Sequence, residues 1–230
     1  MAYTTRRECC PLGSVETWIF DLDNTLYPAS CRLFDQVQLR MTEFICDRLS
    51  VSPEAAAELR RNYFREHGTT LRGLMTVDNI DPHEFLAFVH DIDLAGVPPD
   101  PALAAALNRL DGRKIVHTNG SVHHAQRLLD HLGLSDAFCG IVDIAAAEFD
   151  PKPALAGYQL LLRRHAVAAP TAVMIEDIAR NLAPAAEPPP PPLVSPTAGR
   201  RYIRSCGAGP GRTAGRRPGR ACCRDRRSRS

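Results

Sequence analysis

The chain has 230 residues and a formal net charge of +2, a length that suffices for one or two domains with a sizeable core. No apolar run approaches the length of a membrane-spanning helix, and the first residues lack the apolar stretch of a secretory signal. The eight cysteines show neither a Cys-x-x-Cys pair nor the spacing of a zinc site. We therefore expect free thiols, a cytoplasmic protein and no membrane partner.

Charge is distributed unevenly along the chain. Residues 188–230 contain eleven arginines and one acidic residue, Asp225, which gives this segment a net charge of +10, whereas residues 1–187 carry a net charge of −8. The segment 188–230 begins with five prolines and has few large apolar side chains, so it cannot bury enough surface to form a core. We therefore expect a disordered Pro/Arg-rich tail at 188–230 and a disordered N-terminus at 1–14.

Strand and helix patterns alternate through the remainder of the chain. Short apolar runs predict four strands, at 18–20, 113–117, 140–144 and 172–175. Apolar residues at helical spacing predict helices at 34–49, 53–66, 70–75, 82–90, 102–110, 122–132, 154–165 and 178–187. This order predicts an α/β fold with a Rossmann-like, doubly wound, mainly parallel sheet. The helices between the first two strands form a predicted insertion.

Polar clusters stand at or just after the carboxyl ends of the predicted strands. These clusters are Asp21 with Asp23, Thr118 with Asn119, Lys152, and Glu176 with Asp177. Asp21 and Asp23 are two residues apart, so on an extended backbone their carboxylates project to the same side. Such carboxylates repel each other unless a cation or a shared proton relieves them. Because sites in open α/β sheets gather at the carboxyl ends of strands, the four clusters together predict one active site.

Each cluster also has an ordinary structural explanation when it is taken alone. The two aspartates fit a strand end followed by an Asp/Asn-rich turn, and the segment 118–120 fits a turn. Lys152 lies between two prolines and fits a solvated loop. Asp177 fits an N-cap that satisfies free N–H groups of the next helix. The occurrence of all four clusters in this order, on a βα pattern, favours the site.

The stretch 20–28, Phe-Asp-Leu-Asp-Asn-Thr-Leu-Tyr-Pro, resembles motif I of the haloacid dehalogenase superfamily, the Asp-x-Asp-x-Thr loop of its phosphatases. It is most similar to the pyrimidine 5′-nucleotidase branch. Thr118 matches motif II of the superfamily and Lys152 matches motif III. Glu176-Asp177 matches the acidic motif IV, with glutamate where many members have a first aspartate. The resemblance covers about residues 17–187.

The resemblance implies a phosphomonoester hydrolase that requires Mg²⁺. Asp21 is the implied nucleophile, which forms an aspartyl-phosphate, and Asp23 is the implied acid and base. The implied metal ligands are Asp21, the backbone carbonyl of Asp23 and Asp177, with Glu176 holding a metal-bound water.

The resemblance also implies the contacts to the phosphate. Lys152 supplies a positive charge, Thr118 a hydroxyl, and Asn119 a backbone N–H that lies just before a helix start, where anions are favoured. Three nearby histidines are interpreted as surface groups or as groups one layer behind the site: His117, His123 and His124.

The helical insertion, residues 28–100, resembles the cap domain of the family, which closes over the site and excludes water. Its segment 63–74 resembles the cap loop of the nucleotidase branch and implies that His67 and Arg72 contact the substrate. An ordinary helix–helix connection is the alternative for this segment. The predicted core comprises residues 15–27 and 101–187.

Two functional hypotheses from different classes follow. The first is a Mg²⁺-dependent phosphomonoesterase acting on a small phosphorylated metabolite, with nucleoside 5′-monophosphates (pyrimidines first) as substrates, and phosphoglycolate or another small ester as the alternative. The second rests on the composition after residue 187, which is typical of a GC-rich gene read out of frame. The chain is then an inactive frameshifted product or, if the tail is genuine, a nucleic-acid binder acting through its arginines.

Overall fold

The computed structural model describes residues 14–186 and 202–205 of the chain. Within them, five strands form a single sheet: β1 (Thr17–Phe20), β2 (Arg113–His117), β3 (Gly140–Val142), β4 (Ala172–Glu176) and β5 (Tyr202–Ser205). Their order across the sheet is β3-β2-β1-β4-β5, with β1 to β4 parallel and β5 antiparallel to β4. The predicted α/β fold with a mainly parallel sheet is therefore confirmed.

Strand β1 lies at the centre of the sheet, and all four of its residues are buried. Ile19 of β1 aligns with Ile115 of β2 and with Met174 of β4. Because successive residues of a strand point to opposite faces, Trp18 and Phe20 pack into one core cluster and Ile19 into another. Apolar side chains cover both faces of the strand, which explains why its sequence is continuously apolar.

Seven α-helices occur in the described residues: α1 (Leu33–Leu49), α2 (Pro53–His67), α3 (Thr70–Val77), α4 (Pro82–Val89), α5 (Pro101–Arg109), α6 (Val122–Leu132) and α7 (Leu155–Arg164). In this part of the chain, none of the helices has both the length and the apolar character needed to cross a bilayer. Ser52, Asp81 and Asp100 accept hydrogen bonds from backbone N–H groups at the starts of α2, α4 and α5. A proline follows each of these caps, so local signals fix where the three helices begin.

Helices α1 to α4 lie within the predicted cap segment 28–100, a domain division that stays a prediction. They pack on one another through aromatic side chains, and Phe44 of α1 meets Phe85 of α4 edge to face with ring centroids 5.2 Å apart. Helices α2 and α3 approach closely at Gly73, where a Cβ would lie 2.3 Å from Cγ of Tyr63. A larger residue at Gly73 therefore has to displace the Tyr63 ring.

The C-terminal part of the fold differs from prediction in three places. The strand predicted at 140–144 ends at Val142, and the helix predicted at 178–187 is a 3₁₀ helix, Ala179–Ala186. Pro184 lies inside that helix and has no N–H with which to continue an α-helical ladder. The tail predicted to be disordered contributes β5, whose sequence Tyr-Ile-Arg-Ser contains aromatic and β-branched residues that favour strands.

Strand β5 corrects the expectation that no strand follows β4. It pairs antiparallel along β4, with Ile203 opposite Ile175. An unpaired sheet edge exposes a row of N–H and C=O groups, and a further strand satisfies them. The predictions for residues 1–13 and for the rest of the tail lie outside the described residues.

Candidate active site

A cavity of about 490 Å³ lies at the carboxyl ends of β1, β2 and β4 and is walled on another side by residues of α1, α2 and α4. Seven of the nine predicted site residues line it: Asp21, Asp23, Thr118, Asn119, Lys152, Glu176 and Asp177. The register explains this convergence, since Phe20 of β1 aligns with Val116 of β2 and Ile175 of β4, and the three strands end side by side. The catalytic and metal-binding roles of the seven residues stay predictions.

The loop after β1 folds back on itself and orients Asp21. The backbone N–H of Asp21 donates to the carbonyl of Ile175 over 2.9 Å, which extends the strand pairing to this residue. Asn24 adopts a left-handed conformation with a φ of 60°, which asparagine tolerates better than most residues, and the chain turns there. The turn allows the Thr25 hydroxyl to donate to Oδ2 of Asp21 over 3.0 Å. The Asp-x-Asp-Asn-Thr sequence therefore fixes the first aspartate through its own turn.

Lys152 is 3% exposed, and its ammonium group has three acceptors. Nζ donates to Oδ1 of Asp21 over 2.7 Å, to Oε2 of Glu176 over 2.8 Å and to the carbonyl of His117 over 2.8 Å. Burial alone lowers the pKa of Lys152, but the two carboxylates outweigh it and raise the pKa, so the lysine is charged. The interpretation of Lys152 as a solvated loop residue is therefore wrong.

Three acidic side chains crowd around this lysine. Asp21, Glu176 and Asp177 offer carboxylate oxygens that all lie within 4.8 Å of one another. Burial raises the pKa of Asp21 to about 6, although Lys152 acts in the opposite direction. Burial also raises the pKa of Glu176, and burial together with the charge of Asp21 raises the pKa of Asp177. The single positive charge of Lys152 thus does not neutralise the negative charge of the three acidic side chains. Their carboxylate oxygens are hard ligands that fit a magnesium ion.

Asp23 has a different environment from Asp21. The Tyr27 hydroxyl donates to Oδ1 of Asp23 over 2.8 Å, and Nε2 of His124 lies 2.9 Å from the same oxygen. Burial alone raises the pKa of the Asp23 carboxyl, but the His124 imidazole and the hydrogen bonds from His124 and Tyr27 lower it to about 2. The two aspartates of one motif thus have pKa values on opposite sides of the ordinary value.

The cap side of the cavity is largely apolar. Most of its apolar side chains come from α1 and α4: Phe34, Val37, Met41, Phe85, Leu86 and Val89. Polar side chains interrupt this wall, among them Gln38, Arg60 and Arg61. Nη1 of Arg60 donates to Oε1 of Gln38 over 2.8 Å. Where the cap meets the 3₁₀ helix after β4, the Arg180 guanidinium lies 4.7 Å from the centroid of the Phe64 ring. The cavity therefore joins an acidic floor that contains one buried lysine to a cap wall that is largely apolar.

His67 and Arg72, which were expected to contact the substrate, are not among the residues that line the cavity. The His67 ring packs against Tyr63, and Nη1 of Arg72 donates to the carbonyl of Phe149 over 3.4 Å. The intervening loop does reach the cavity through its residues 68–70. The resemblance of segment 63–74 thus indicated a loop that lies at the cavity. The packing of α2 on α3 sets the directions of the side chains that flank this loop.

The three histidines near the site fall into two groups. His123 is exposed and fits the surface alternative, whereas His117 and His124 are buried and fit the alternative of groups one layer behind the site. A sequence signal for His124 exists, because Leu128 and Leu132 follow it at helical spacing on the buried face of α6. His124 is therefore a supporting group that touches Asp23.

The parallel sheet, its flanking helices and the polar cavity at the strand ends place the chain among doubly wound α/β proteins. A family model described as haloacid dehalogenase-like hydrolase matches residues 15–187, and the chain belongs to that family.

Known proteins resemble parts of this chain. Phosphate metabolism protein 8 of Saccharomyces cerevisiae is 29% identical over 136 residues, which are 55% of this chain and 42% of the yeast protein. The chain thus spans about two fifths of the length of that curated relative. Among solved structures, CbbY from Rhodobacter sphaeroides in complex with phosphate is 20% identical, with 74% of this chain and 81% of that chain covered and a TM-score of 0.51. A haloacid dehalogenase-like hydrolase from Streptococcus pneumoniae is 19% identical, with 75% and 80% covered and a TM-score of 0.48.

Proposed function

We propose that the chain is a Mg²⁺-dependent phosphomonoester hydrolase that works through an aspartyl-phosphate on Asp21. The observation that carries this proposal is the contact of the buried Lys152 with both Asp21 and Glu176 at the floor of the cavity. A lysine held in this way keeps the Asp21 carboxylate in place and presents positive charge where a phosphoryl group arrives. The yeast relative is named for phosphate metabolism, which agrees with a phosphorylated substrate.

In the proposed reaction, a carboxylate oxygen of Asp21 forms a bond to phosphorus while the ester P–O bond breaks. The leaving oxygen takes the electron pair of that bond and a proton from Asp23. In the second step Asp23 accepts a proton from the water that attacks phosphorus, and the Asp21 carboxylate is released. The low pKa of Asp23 describes the protein without substrate. A phosphate dianion beside Asp23 raises the pKa of that carboxyl, so Asp23 takes up its proton from solvent as the substrate binds.

The residues that would hold Mg²⁺ are Asp21, Asp177 and the backbone carbonyl of Asp23, with Glu176 holding a metal-bound water. A bound Mg²⁺ supplies positive charge that neutralises the phosphoryl oxygens. The Thr118 hydroxyl and the backbone N–H of Asn119, which stand at the end of β2, are the proposed phosphate contacts.

The cap side of the cavity favours a nucleoside 5′-monophosphate over a small ester. A cavity of about 490 Å³ lies within the usual range for a drug-sized ligand. Phosphoglycolate has no large apolar group with which to cover the apolar part of the cap wall. Gln38 and Arg60 line the cavity and contact each other, and they replace His67 and Arg72 as the proposed contacts to a base. We propose pyrimidine nucleotides as the first substrates to test.

A panel of phosphate monoesters assayed with the full chain tests this function. We expect Mg²⁺-dependent release of phosphate from uridine and cytidine 5′-monophosphates at a higher kcat/KM than from phosphoglycolate. Asp21→Asn serves as the matched inactive control, because it retains the shape of the side chain and removes its charge. Absence of hydrolysis across the whole panel would contradict the proposed function, and a preference for phosphoglycolate would contradict the proposed substrate class.

A further inference from the structure

The carboxylate of Asp23 is held at one oxygen by two donors. Tyr27 Oη and His124 Nε2 both contact Oδ1, at 2.8 Å and 2.9 Å. Oδ2 makes no hydrogen bond within the described residues, and Asp23 lines the cavity. Two donors that share one oxygen fix the carboxylate plane and leave the other oxygen available to a substrate.

His124 is held in turn by its surroundings. Its side chain is 1% exposed, and the ring of His90 stacks on it with centroids 4.4 Å apart and ring planes 10° from parallel. Nδ1 of His90 lies 3.0 Å from the Ser121 hydroxyl, and Nη1 of Arg127 donates to the His90 carbonyl over 2.8 Å. His90 is therefore fixed at the end of α4, and its ring prevents the His124 ring from turning away from Asp23.

The ring nitrogen Nδ1 of His124 argues against a purely structural role for this residue. Nδ1 is buried and has no hydrogen-bond partner among the described residues. Nε2 faces the Asp23 carboxylate and Nδ1 faces away from it, so the contact with Asp23 uses only one of the two ring nitrogens. A buried polar atom without a partner costs free energy that an apolar side chain at the same place would avoid. What the histidine provides in return is its contact with Asp23.

We propose that His124, backed by His90, is a positioning residue that aims Oδ2 of Asp23 at the leaving oxygen of the substrate. This inference rests on the proposed function, in which Asp21 bonds to phosphorus and the departing oxygen takes its proton from Asp23. A misaligned acid affects the first chemical step most when the leaving oxygen is strongly basic. The contribution of His124 therefore increases with the basicity of the leaving group.

Phenyl phosphate and 4-nitrophenyl phosphate test this idea, because they have nearly the same shape and differ in how basic the departing phenolate is. The quantity to compare is kcat/KM, which reports on the step in which the leaving group departs. We expect His124→Ala to reduce kcat/KM for phenyl phosphate by about 10²-fold, the lower end of the usual range for general acid catalysis. For 4-nitrophenyl phosphate the loss is less than about tenfold, because that leaving group departs with little help.

Three further variants control the comparison. His124→Gln retains an N–H donor and is expected to recover part of the lost activity on phenyl phosphate. Tyr27→Phe removes the second donor to Oδ1 and is expected to show a smaller loss with the same dependence on the leaving group. His123→Gln changes the exposed neighbour on α6 and is expected to leave both rates unchanged. If His124→Ala fails to fold, His124→Gln and Tyr27→Phe replace it in the test. The quantity compared is again the loss of kcat/KM on phenyl phosphate relative to the loss on 4-nitrophenyl phosphate.

Two results separate the inference from the proposed function. A wild-type chain that hydrolyses neither these two esters nor any member of the phosphate monoester panel would overturn the proposed function itself. A wild-type chain that hydrolyses both, with His124 and Tyr27 variants that lose the same factor on each ester, would overturn the positioning role alone.

Discussion

Removal of the Lys152 ammonium is the perturbation whose consequences the structure defines best. Lys152→Met is unbranched and only one atom shorter than lysine, and it leaves Asp21 and Glu176 as two buried carboxylates without this cation. Breaking a buried ion pair by removing one partner costs about 3–5 kcal/mol. At about 2–4 °C per kcal/mol for a domain of this size, the expected fall in Tm is roughly 6–20 °C. Urea denaturation in the presence of EDTA measures the loss without interference from metal.

The stability loss of Lys152→Met is expected to depend on pH. Burial already raises the pKa of Asp21 to about 6 and raises the pKa of Glu176, and both rise further when the lysine is removed. The folded variant then binds protons more tightly than the unfolded chain, so its deficit is complete at about pH 8 and shrinks toward about pH 5. Adding Asp21→Asn to the variant should recover part of the lost stability. Equal stability of Lys152→Met and wild type at about pH 8, or a loss that is the same at both pH values, would refute this reasoning.

Three other predictions concern the metal, the cap and the packing of α2 on α3. EDTA should abolish hydrolysis, and added Mg²⁺ should restore it. Asp177→Ala should raise the Mg²⁺ concentration that gives the half-maximal rate. A rate that is insensitive to EDTA would contradict the ligand assignment. Arg60→Ala should raise KM for nucleotides about tenfold. Arg72 lies outside the cavity lining, so Arg72→Ala should leave KM unchanged. A larger effect of Arg72→Ala than of Arg60→Ala would support the original prediction that Arg72 contacts the substrate. Gly73→Ala places a Cβ 2.3 Å from Tyr63 and should lower stability in urea by about 1–3 kcal/mol; a neutral result would show that the ring moves freely.

Local sequence patterns were sufficient to predict the four parallel strands and the place of the acid cluster, but not β5. The strand ends could be predicted because apolar runs stop abruptly at polar residues, and parallel strands bring such ends together. Lys152 is the opposite case, since a lysine between two prolines has the local features of a solvated loop. Its partner Asp21 is 131 residues away in the chain. Only the order of the clusters, and the resemblance to the family motifs, indicated that Lys152 belongs to the site.

The cap wall could not be predicted because it depends on how helices face one another. Gln38 of α1 and Arg60 of α2 meet across a helix–helix contact, and neither residue has a local signal that marks it. His67 and Arg72 were selected from a loop resemblance, which locates a loop but does not determine the direction of its flanking side chains. The burial of His124 could be predicted from helical periodicity, because its spacing from Leu128 puts it on the buried face of α6.

A rapid-quench experiment with a nucleotide tests the central claim most directly. The full chain is mixed with Mg²⁺ and uridine 5′-monophosphate carrying a radiolabelled phosphate, stopped with acid within the first turnover, and assayed for label bound to protein. We predict protein-bound label that hydroxylamine releases, as expected for an acyl phosphate, and that is absent from Asp21→Asn, whose turnover falls about 10³-fold or more. Hydrolysis without protein-bound label, or label that persists in Asp21→Asn, would contradict an aspartyl-phosphate on Asp21.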